Sequence, residues 1–216
     1  MVLLLQTWEY FLTHQADYWA KTATYLRLSL VALLIGVSLG IVLGIVTSQS
    51  ARAAAVSANG IGALRAVPSI AIMAAMLPII GIGFWPALIA LTILAVPPVL
   101  INTQAGFAGV DPFILEAARG MGMSRAQVIA RVQFPLALPV LIAGVRTAAV
   151  EVLASATIGS IIGAGGLGEY IFSGLSLGPS YIYLMLVGAI TVALLALTAE
   201  GLFTLAEMLA RRASHG

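Results

Sequence analysis

The sequence contains no cysteine and few charged residues, and both absences restrict what kind of protein it is. Without cysteine, the chain has no disulfide framework, no thiolate ligand for zinc and no thiol nucleophile. Only 8% of the 216 residues are charged and 61% are hydrophobic, whereas a soluble domain carries about 25% charged residues. So few charges do not cover a water-facing surface. The composition therefore predicts a chain embedded in a lipid bilayer.

The remaining polar residues do not favour nucleic-acid binding, metal binding or enzymatic activity. The formal net charge is +2 at pH 7, and no basic run is interleaved with aromatic residues, so nucleic acid is not an expected partner. The two histidines, His14 and His215, lie near opposite termini. No cluster of His, Asp and Glu has catalytic spacing, and the phosphate-loop pattern G-x-x-x-x-G-K-[ST] is absent. We therefore expect no metal, no cofactor and no catalytic residue in this chain.

Five segments are apolar over about 20 residues, the length that an α-helix needs to cross a bilayer. They run approximately over residues 26–47, 61–80, 84–103, 136–162 and 181–205. The preceding segment, residues 1–24, is weakly amphipathic over residues 1–20 and rich in aromatic side chains, which favour the headgroup level. We predict an interfacial helix there. The whole chain, residues 1–216, is predicted to be one all-α membrane domain with a core of five transmembrane helices.

Arginines are concentrated in the connections that fall on one side of such a five-span bundle. Arg52 lies between the first and second spans, three arginines lie between the third and fourth, and Arg211 and Arg212 follow the fifth. Since Lys and Arg near the ends of spans favour the cytoplasmic side, we predict an outer N-terminus and a cytoplasmic C-terminus. Lys21 and Arg27, near the first span, count mildly against this orientation.

The connection between the third and fourth spans contains signals for two short helices. Asp111 followed by Pro112 has the pattern of a helix N-cap with proline at the first position. Gly122 permits the sharp turn that ends this helix. The second helix begins at a capping box over residues 124–127, and Pro135 is expected to stop it before the fourth span. Two short exposed helices of this kind form a knob suited to a groove on another protein.

The same connection contains the pattern E-A-A-x3-G-x9-[apolar]-x-[apolar]-P between Glu116 and Pro135. This pattern resembles the cytoplasmic EAA loop in the membrane subunits of bacterial ABC importers. The resemblance implies that residues 111–135 are a coupling loop whose helices dock on a separate ATPase. The ATPase-coupling residues that it implies are Glu116, Ala117, Ala118, Gly122, Ser124, Val132 and Pro135.

Other segments extend the resemblance over about residues 25–210. Residues 65–71 are similar to the R-x-[apolar]-P-S segment of that family, and residues 143–147 and 163–172 are similar to further family segments. The resemblance implies the small five-helix core of the methionine-type permeases, with cytoplasmic coupling helices. The pattern that includes residues 108–111 most resembles the osmoprotectant permeases, which transport glycine betaine, choline, carnitine or similar quaternary amines.

The resemblance implies a permease subunit that forms a translocation pathway in the bacterial cytoplasmic (inner) membrane. The implied partners are ABC ATPase subunits that hold ATP and magnesium, an extracytoplasmic substrate-binding protein, and a second permease subunit, identical or paralogous. A methionine or other amino-acid permease is the alternative within the family. Outside it, the alternative is an ion-coupled secondary carrier that needs no ATPase and uses Arg146, Glu151 and Glu200 as coupling residues.

Candidates for the pathway or its gate are helix breakers and charges inside or beside the apolar segments: Pro68, Ser69, Arg146, Glu151, Gly165 and Gly166. Arg146 is expected either to anchor the fourth span to helix ends or to line the path. Glu151 projects about 140° away from Arg146 around a helix, so the two are not expected to pair directly. Glu151 is predicted to pair with another helix or with the second subunit, and its charge would attract a cationic substrate.

Two further patterns concern glycines and aromatic residues. Gly36, Gly40 and Gly44 repeat every four residues, which lets a neighbouring helix approach closely, within the subunit or at a dimer interface. Residues 163–168 match G-x-G-x-x-G, but no acidic residue follows near position 188, so a glycine-rich turn is expected instead of a dinucleotide site. Interfacial or core packing is expected for four aromatic residues, with a cation–π box for a quaternary ammonium as the alternative: Phe84, Trp85, Phe107 and Tyr170.

Overall fold

The computed structural model describes residues 2–214, which form helices joined by short turns and contain no strand. His215 lies outside these residues. In chain order the helices are α1 (Val2–Thr13), α2 (Gln15–Ser48), α3 (Ala51–Gly62), α4 (Ser69–Ile80), α5 (Phe84–Ala108), α6 (Pro112–Gly120), α7 (Arg125–Val128), α8 (Phe134–Gly159), α9 (Gly168–Leu177) and α10 (Ile182–Ser214). Short 3-10 segments cover Ala63–Ala66, Ser160–Ile162 and Pro179–Tyr181, and a π-helical segment covers Ile129–Gln133.

Within the described residues, four helical stretches are long and apolar enough to cross a membrane. They are Gln15–Ser48, Phe84–Ala108, Arg125–Ile162 and Pro179–Arg212, and they contain the first, third, fourth and fifth predicted spans. A bent pair of helices, described next, makes a fifth when it is counted as one span. The prediction of an all-α membrane protein with a core of about five spans is therefore confirmed.

The second predicted span, residues 61–80, is not one continuous helix. Ala51–Ala66 and Ser69–Ile80 meet at an angle of 89°, and we call residues 51–80 the broken span. The break lies at Val67, whose backbone is extended, and at Pro68, which caps α4. Because proline lacks an amide hydrogen and disfavours helical backbone in the residue before it, the helix stops here. The second predicted span is therefore broken at Pro68, one of the helix breakers that the sequence marks.

The first transmembrane helix begins earlier than the sequence predicts. Since α1 ends at Thr13 and α2 begins at Gln15, residues 15–20 belong to the first span and not to a separate interfacial helix. At 1.5 Å per residue, the 34 residues of α2 extend about 51 Å, against about 30 Å for the hydrocarbon core of a bilayer. The first turns of α2 are thus long enough to stand outside the apolar layer.

Aromatic contacts hold α1 against one end of the bundle. The ring of Tyr10 meets that of Tyr170 edge-on at 6.1 Å and lies 5.7 Å from that of Tyr183 on α10. Trp8 on α1 and Trp19 on α2 remain exposed, and such amphipathic rings suit a membrane surface. The interfacial position of α1 stays a prediction.

The core is built on a close approach of α2 to α5 along the predicted glycine stripe. Gly36, Gly40 and Gly44 are all buried. A Cβ added at Gly40 would lie 2.7 Å from the Cβ of Val99, and one added at Gly44 would lie 2.5 Å from the Cβ of Thr103. Real side chains do not approach this closely, so the stripe packs helices within the subunit, which was the expected role.

A neighbouring face of α5 packs on α8 in the same manner. A Cβ added at Gly144 of α8 would lie 2.6 Å from the Cβ of Asn102. Leu91, Val99 and Leu100 of α5 are fully buried. Helix α5 is therefore the centre of a three-helix frame, and the other helices pack around it.

Arg146 joins α8 to α10 through a cluster of polar side chains. Its Nη1 donates to Thr204 Oγ1 at 3.1 Å and lies 3.5 Å from Glu207 Oε2 and 3.6 Å from Glu200 Oε1. Glu207 is buried and also accepts from Arg211 Nη2 at 2.7 Å. The expected anchoring role is supported, but the partners are side chains of α10 and not helix ends. Residues 200, 204 and 207 share one helix face, which sequence spacing alone did not connect to Arg146.

A methyl group on the glycine stripe should loosen the core. Gly40→Ala places its Cβ against Val99, and we expect a loss of about 1–3 kcal/mol of stability from overpacking. Gly201→Ala is the matched control, because nothing lies within 4 Å of an added Cβ there, and the change favours helix by up to about 1 kcal/mol. Thermal unfolding of the purified chain in mild detergent measures the stability of both variants. Equal melting temperatures for Gly40→Ala and Gly201→Ala would contradict the packing assignment.

Removal of the Arg146 charge should leave the buried Glu207 carboxylate short of a partner. We expect Arg146→Met to cost about 1 kcal/mol, because the buried Glu207 loses one cationic partner and keeps the other, Arg211. The double variant Arg146→Met, Glu207→Gln should recover part of that loss, since the amide carries no uncompensated charge. Melting temperatures and the fraction of monodisperse protein after size exclusion report the result. A double variant less stable than Arg146→Met would argue against the cluster.

Candidate functional site

The first loop helix, α6, forms as its capping residues predict. Asp111 Oδ1 accepts a hydrogen bond from the Phe113 amide at 2.8 Å, and Pro112 occupies the first helical position. The predicted end near residue 120 is also observed, because α6 closes at Gly120. Local sequence is sufficient here, since both signals act on the first and last turns of one short helix.

A glycine turn ends α6 and directs the chain toward the second loop helix. Gly122 has φ +81°, and its amide donates to the Arg119 carbonyl at 2.9 Å, while the Met123 amide donates to the Ala118 carbonyl at 3.2 Å. This pair of bonds is the Schellman arrangement, which satisfies carbonyls left open at a helix end. A residue with a Cβ is strained at this φ, so Gly122 has a structural reason for its place in the motif.

The second loop helix begins with the predicted capping box. The Gln127 amide donates to Ser124 Oγ at 3.4 Å, and the Ser124 amide donates to Gln127 Oε1 at 2.8 Å. Arg125 Nη2 donates to Gln49 Oε1 at 3.0 Å, which ties this helix to the end of α2. Val128 is buried, so one face of the helix is attached to the bundle.

Pro135 does not stop the second loop helix, and that prediction was wrong. The chain is helical from Arg125 to Ile162, with the π-helical segment Ile129–Gln133 joining α7 to α8. In this segment the Phe134 amide donates to the Ile129 carbonyl, five residues back. Because the wider turn shifts the hydrogen-bond register just before the proline, the missing donor and the ring are accommodated. The loop is therefore continuous with a membrane span.

The loop presents an apolar surface that the motif did not identify. Phe113 is 79% exposed and Met121 is 73% exposed, and Ile114 is also exposed. Glu116 and Ala117 lie on the exposed part of α6, whereas Ala118 is buried. An exposed apolar patch beside polar residues, outside the membrane-spanning segments, is typical of a protein-docking surface. The available signal was the run of apolar residues directly after the Asp111 cap.

Glu151 is joined to the broken span. Its Oε1 accepts from Arg65 Nη2 at 3.1 Å, so the prediction that it pairs with another helical segment agrees with the structure. Pro68 and Ser69 lie three and four residues after Arg65, at the bend. The structure thus groups three of the six predicted pathway residues near one break. Arg65 was noticed in the sequence only as part of a motif, and its role as the partner of Glu151 needed the fold.

Gly165 and Gly166 form a turn that packs on α2. Both have positive φ, +78° and +91°, and a Cβ added at Gly166 would lie 3.1 Å from the Cβ of Tyr25. This close packing on a neighbouring helix was expected of the glycine-rich turn. Arg146 contacts α10 and is not part of the Arg65–Glu151 pair. A pathway role for Gly165, Gly166 and Arg146 stays a prediction.

The turn is followed by a polar cluster at the start of α9. Lys21 Nζ lies 2.7 Å from Asp17 Oδ1 and 3.1 Å from Glu169 Oε2, and the Tyr170 hydroxyl donates to Asp17 Oδ2 at 2.6 Å. Burial, and next the hydrogen bond to the Asp17 carboxylate, raise the pKa of Tyr170. Tyr170 therefore stays a neutral donor, and the cluster fastens α9 to the beginning of α2.

The four aromatic residues considered for a cation–π box do not come together. Phe84 and Phe107 stand at opposite ends of α5, about 35 Å apart at 1.5 Å per residue. Phe107 packs with Ala137 and Leu141, while Tyr170 faces the Asp17 cluster. The four rings therefore do not form one box, and Trp85 is largely exposed.

Comparisons with known proteins agree with this architecture. The carnitine transport permease protein OpuCB of Listeria monocytogenes is 42% identical to this chain over 92% of the chain and 83% of its own length. The choline transport system permease protein OpuBB of Bacillus subtilis (strain 168) is 38% identical over 87% of the chain and 85% of its own length.

A solved structure supports the fold, and a family match identifies the class. The inward-facing MetNI methionine ABC transporter contains a chain that superposes with a TM-score of 0.76, covering 97% of both chains at 19% identity. At this identity the likeness shows the fold alone, and it confirms the methionine-type core. Residues 21–212 match the family described as "binding-protein-dependent transport system inner membrane component". This chain belongs to that family of ABC transporter permeases.

Proposed function

We propose that this permease subunit imports an osmoprotectant with a quaternary ammonium group, such as carnitine, choline or glycine betaine. The observation that carries the proposal is the 37–42% identity to permeases named for these three compounds, over 87–92% of the chain. The chain is a multi-pass protein of the inner membrane, as its family and its apolar helices require. A methionine permease has less support, because the methionine transporter is related in fold at only 19% identity.

The partners in this proposal are a separate ATPase that holds ATP and magnesium, an extracytoplasmic substrate-binding protein and a second permease subunit. The chain itself holds no cofactor and catalyses no reaction. Exposed Phe113 and Met121, on the same loop as the exposed Glu116, supply an apolar surface with a charged group for the ATPase. Arg119, Arg125 and Arg131 on the same loop support a cytoplasmic position for it, and we propose that the N-terminus lies outside and the C-terminus inside.

Coupling follows from the continuity of the loop with α8. The coupling residues are Glu116, Ala117, Ala118, Gly122, Ser124, Val132 and Pro135. When the ATPase subunits close, they displace α6, and the Gly122 turn and capped α7 pass that movement to the π-helical segment. Because this segment runs without a break into α8, the span itself moves. The pathway then changes between outward and inward access.

Charge reversal at Glu116 should uncouple the permease from its ATPase. In Glu116→Arg we expect normal membrane levels but about tenfold less ATPase in a mild-detergent pull-down, the effect of losing about 1.4 kcal/mol of docking energy. Glu9 on α1 is also exposed, so Glu9→Arg is the matched control and should retain the ATPase. Unchanged uptake and unchanged ATPase recovery in Glu116→Arg would remove the loop from the docking surface.

The substrate is tested with the complete transporter, co-expressed from the neighbouring genes and reconstituted in liposomes. We expect ATP-dependent uptake of labelled choline or glycine betaine when the binding protein is present, and no uptake of methionine. Uptake of methionine alone would replace the osmoprotectant by an amino acid. Uptake that proceeds without ATP would instead support an ion-coupled carrier and contradict the role given to the loop.

A further inference from the structure

An ion pair lies inside the membrane-spanning part of the molecule. Glu151 is 17 residues after the start of α8 and eight before its end, so about 26 Å and 12 Å from the two helix ends. Its Oε1 is 3.1 Å from Arg65 Nη2. Ionisable groups at such depths are costly and face protein or a water-filled cavity. A pair at this place therefore borders either packed protein or the pathway.

The Arg65–Glu151 pair has bonding capacity that is not used. Glu151 Oε2 is buried and has no hydrogen-bond partner among the described residues. The Arg65 side chain is 45% exposed, and a guanidinium has five N–H donors. In contrast, Arg146 is held by three groups of α10. Both the carboxylate and the guanidinium of the first pair can thus accept a further partner.

The segment that carries Arg65 is held loosely. Helix α3 and the following segment Ala63–Ala66 contain no buried residue, and α4 contains one, Met73. Its polar ties include the bond from Gln104 Nε2 to Ser57 Oγ, 2.7 Å, and the Arg65–Glu151 pair beside the 89° bend. Segments with little buried surface open at low free-energy cost, so Arg65 can separate from Glu151 while the frame of α2, α5 and α8 stays intact.

We propose that Arg65 and Glu151 form a substrate-binding site within the membrane for compounds that carry both a carboxylate and a quaternary ammonium group. The site rests on the proposed osmoprotectant function and names the residues that select the substrate. Arg65 binds the substrate carboxylate, and Glu151 attracts the quaternary ammonium. An ammonium of this kind has no N–H, so its attraction to Glu151 is Coulombic and requires no hydrogen-bond geometry.

Charge balance favours replacing the contact between Arg65 and Glu151 by contacts of each residue with the substrate. Before binding, the two residues neutralise each other, and afterwards each neutralises one end of the zwitterion. No net charge enters the low-dielectric region in either state, which avoids the cost of a lone buried ion. A guanidinium also binds a carboxylate through two parallel hydrogen bonds, which gives the substrate a fixed orientation.

The site predicts a difference between two substrates. Glycine betaine carries both charges, whereas choline carries the ammonium and a hydroxyl. In the reconstituted transporter with saturating binding protein, Arg65→Gln should lower the uptake rate of glycine betaine about tenfold more than that of choline, because only the former loses a charge-assisted carboxylate contact. Glu151→Gln should lower both rates. Arg52→Gln, on the same broken span and exposed, is the matched control and should change neither rate.

Two outcomes separate this inference from the proposed function. If the unaltered transporter takes up neither compound, the osmoprotectant function fails and the site fails with it. If it takes up both and Arg65→Gln lowers the two rates equally, the pair is only a structural tie, and the binding role is overturned. Should the Gln variants not assemble with the ATPase, Arg65→Lys provides the measurement. Lysine keeps the charge but lacks the planar guanidinium. We therefore expect Arg65→Lys to lower the uptake rate of glycine betaine, by less than Arg65→Gln does, and to leave that of choline unchanged. An equal reduction for the two compounds would overturn the site.

Discussion

The close contact of α2 with α5 is the constraint on which the other parts of the structure depend. It exists because Gly40 and Gly44 present no side chain to Val99 and Thr103. In a bilayer, lipid tails are as apolar as leucine, so helices associate through fitted surfaces and not through the hydrophobic effect. With α8 packed on α5 at Gly144 by the same means, three spans form a frame that holds its shape while less buried elements move.

The two charged residues of α8, Arg146 and Glu151, have different kinds of partners. Arg146 meets a threonine and two carboxylates on one face of α10, an arrangement that satisfies the guanidinium and joins α8 to α10. Glu151, five residues later, points to a different side, about 140° around the helix, and meets one arginine on the broken span. The same helix is therefore fixed on one side and joined by an incomplete contact on the other.

Local rules predicted the parts of the fold that depend on one or two turns of chain. The caps at Asp111 and Ser124 and the turn at Gly122 were found from the residues that form them. The glycine stripe was also recognisable, since its spacing lies on one helix. The separation of Phe84 and Phe107 was partly available too, because Phe84 begins the predicted span 84–103 and Phe107 follows its end, although the continuation of the helix to Ala108 needed the structure.

Other features depend on contacts that spacing does not encode. Whether a proline ends a helix, bends it or is absorbed by a wider turn depends on the neighbouring backbone. Pro68 breaks its span by 89°, whereas Pro135 is absorbed after a π-helical segment. The partners of Arg146 lie at least 54 residues away in the sequence. The partner of Glu151 lies 86 residues away. The roles of Arg146 and Glu151 could be identified only from the fold, although charged residues in apolar segments were already recognisable as unusual in the sequence.

The geometry of α8 connects the loop to the proposed binding pair. Its N-terminal end continues the coupling loop through the π-helical segment, and Glu151 lies 17 residues into the helix. A helix transmits displacement along its axis because each turn is hydrogen-bonded to the next. Since Arg146 ties α8 to α10, the proposed coupling would move both helices together. The contact with the less buried broken span is then the one expected to change, so in the proposed cycle Arg65 separates from Glu151 while the frame stays intact.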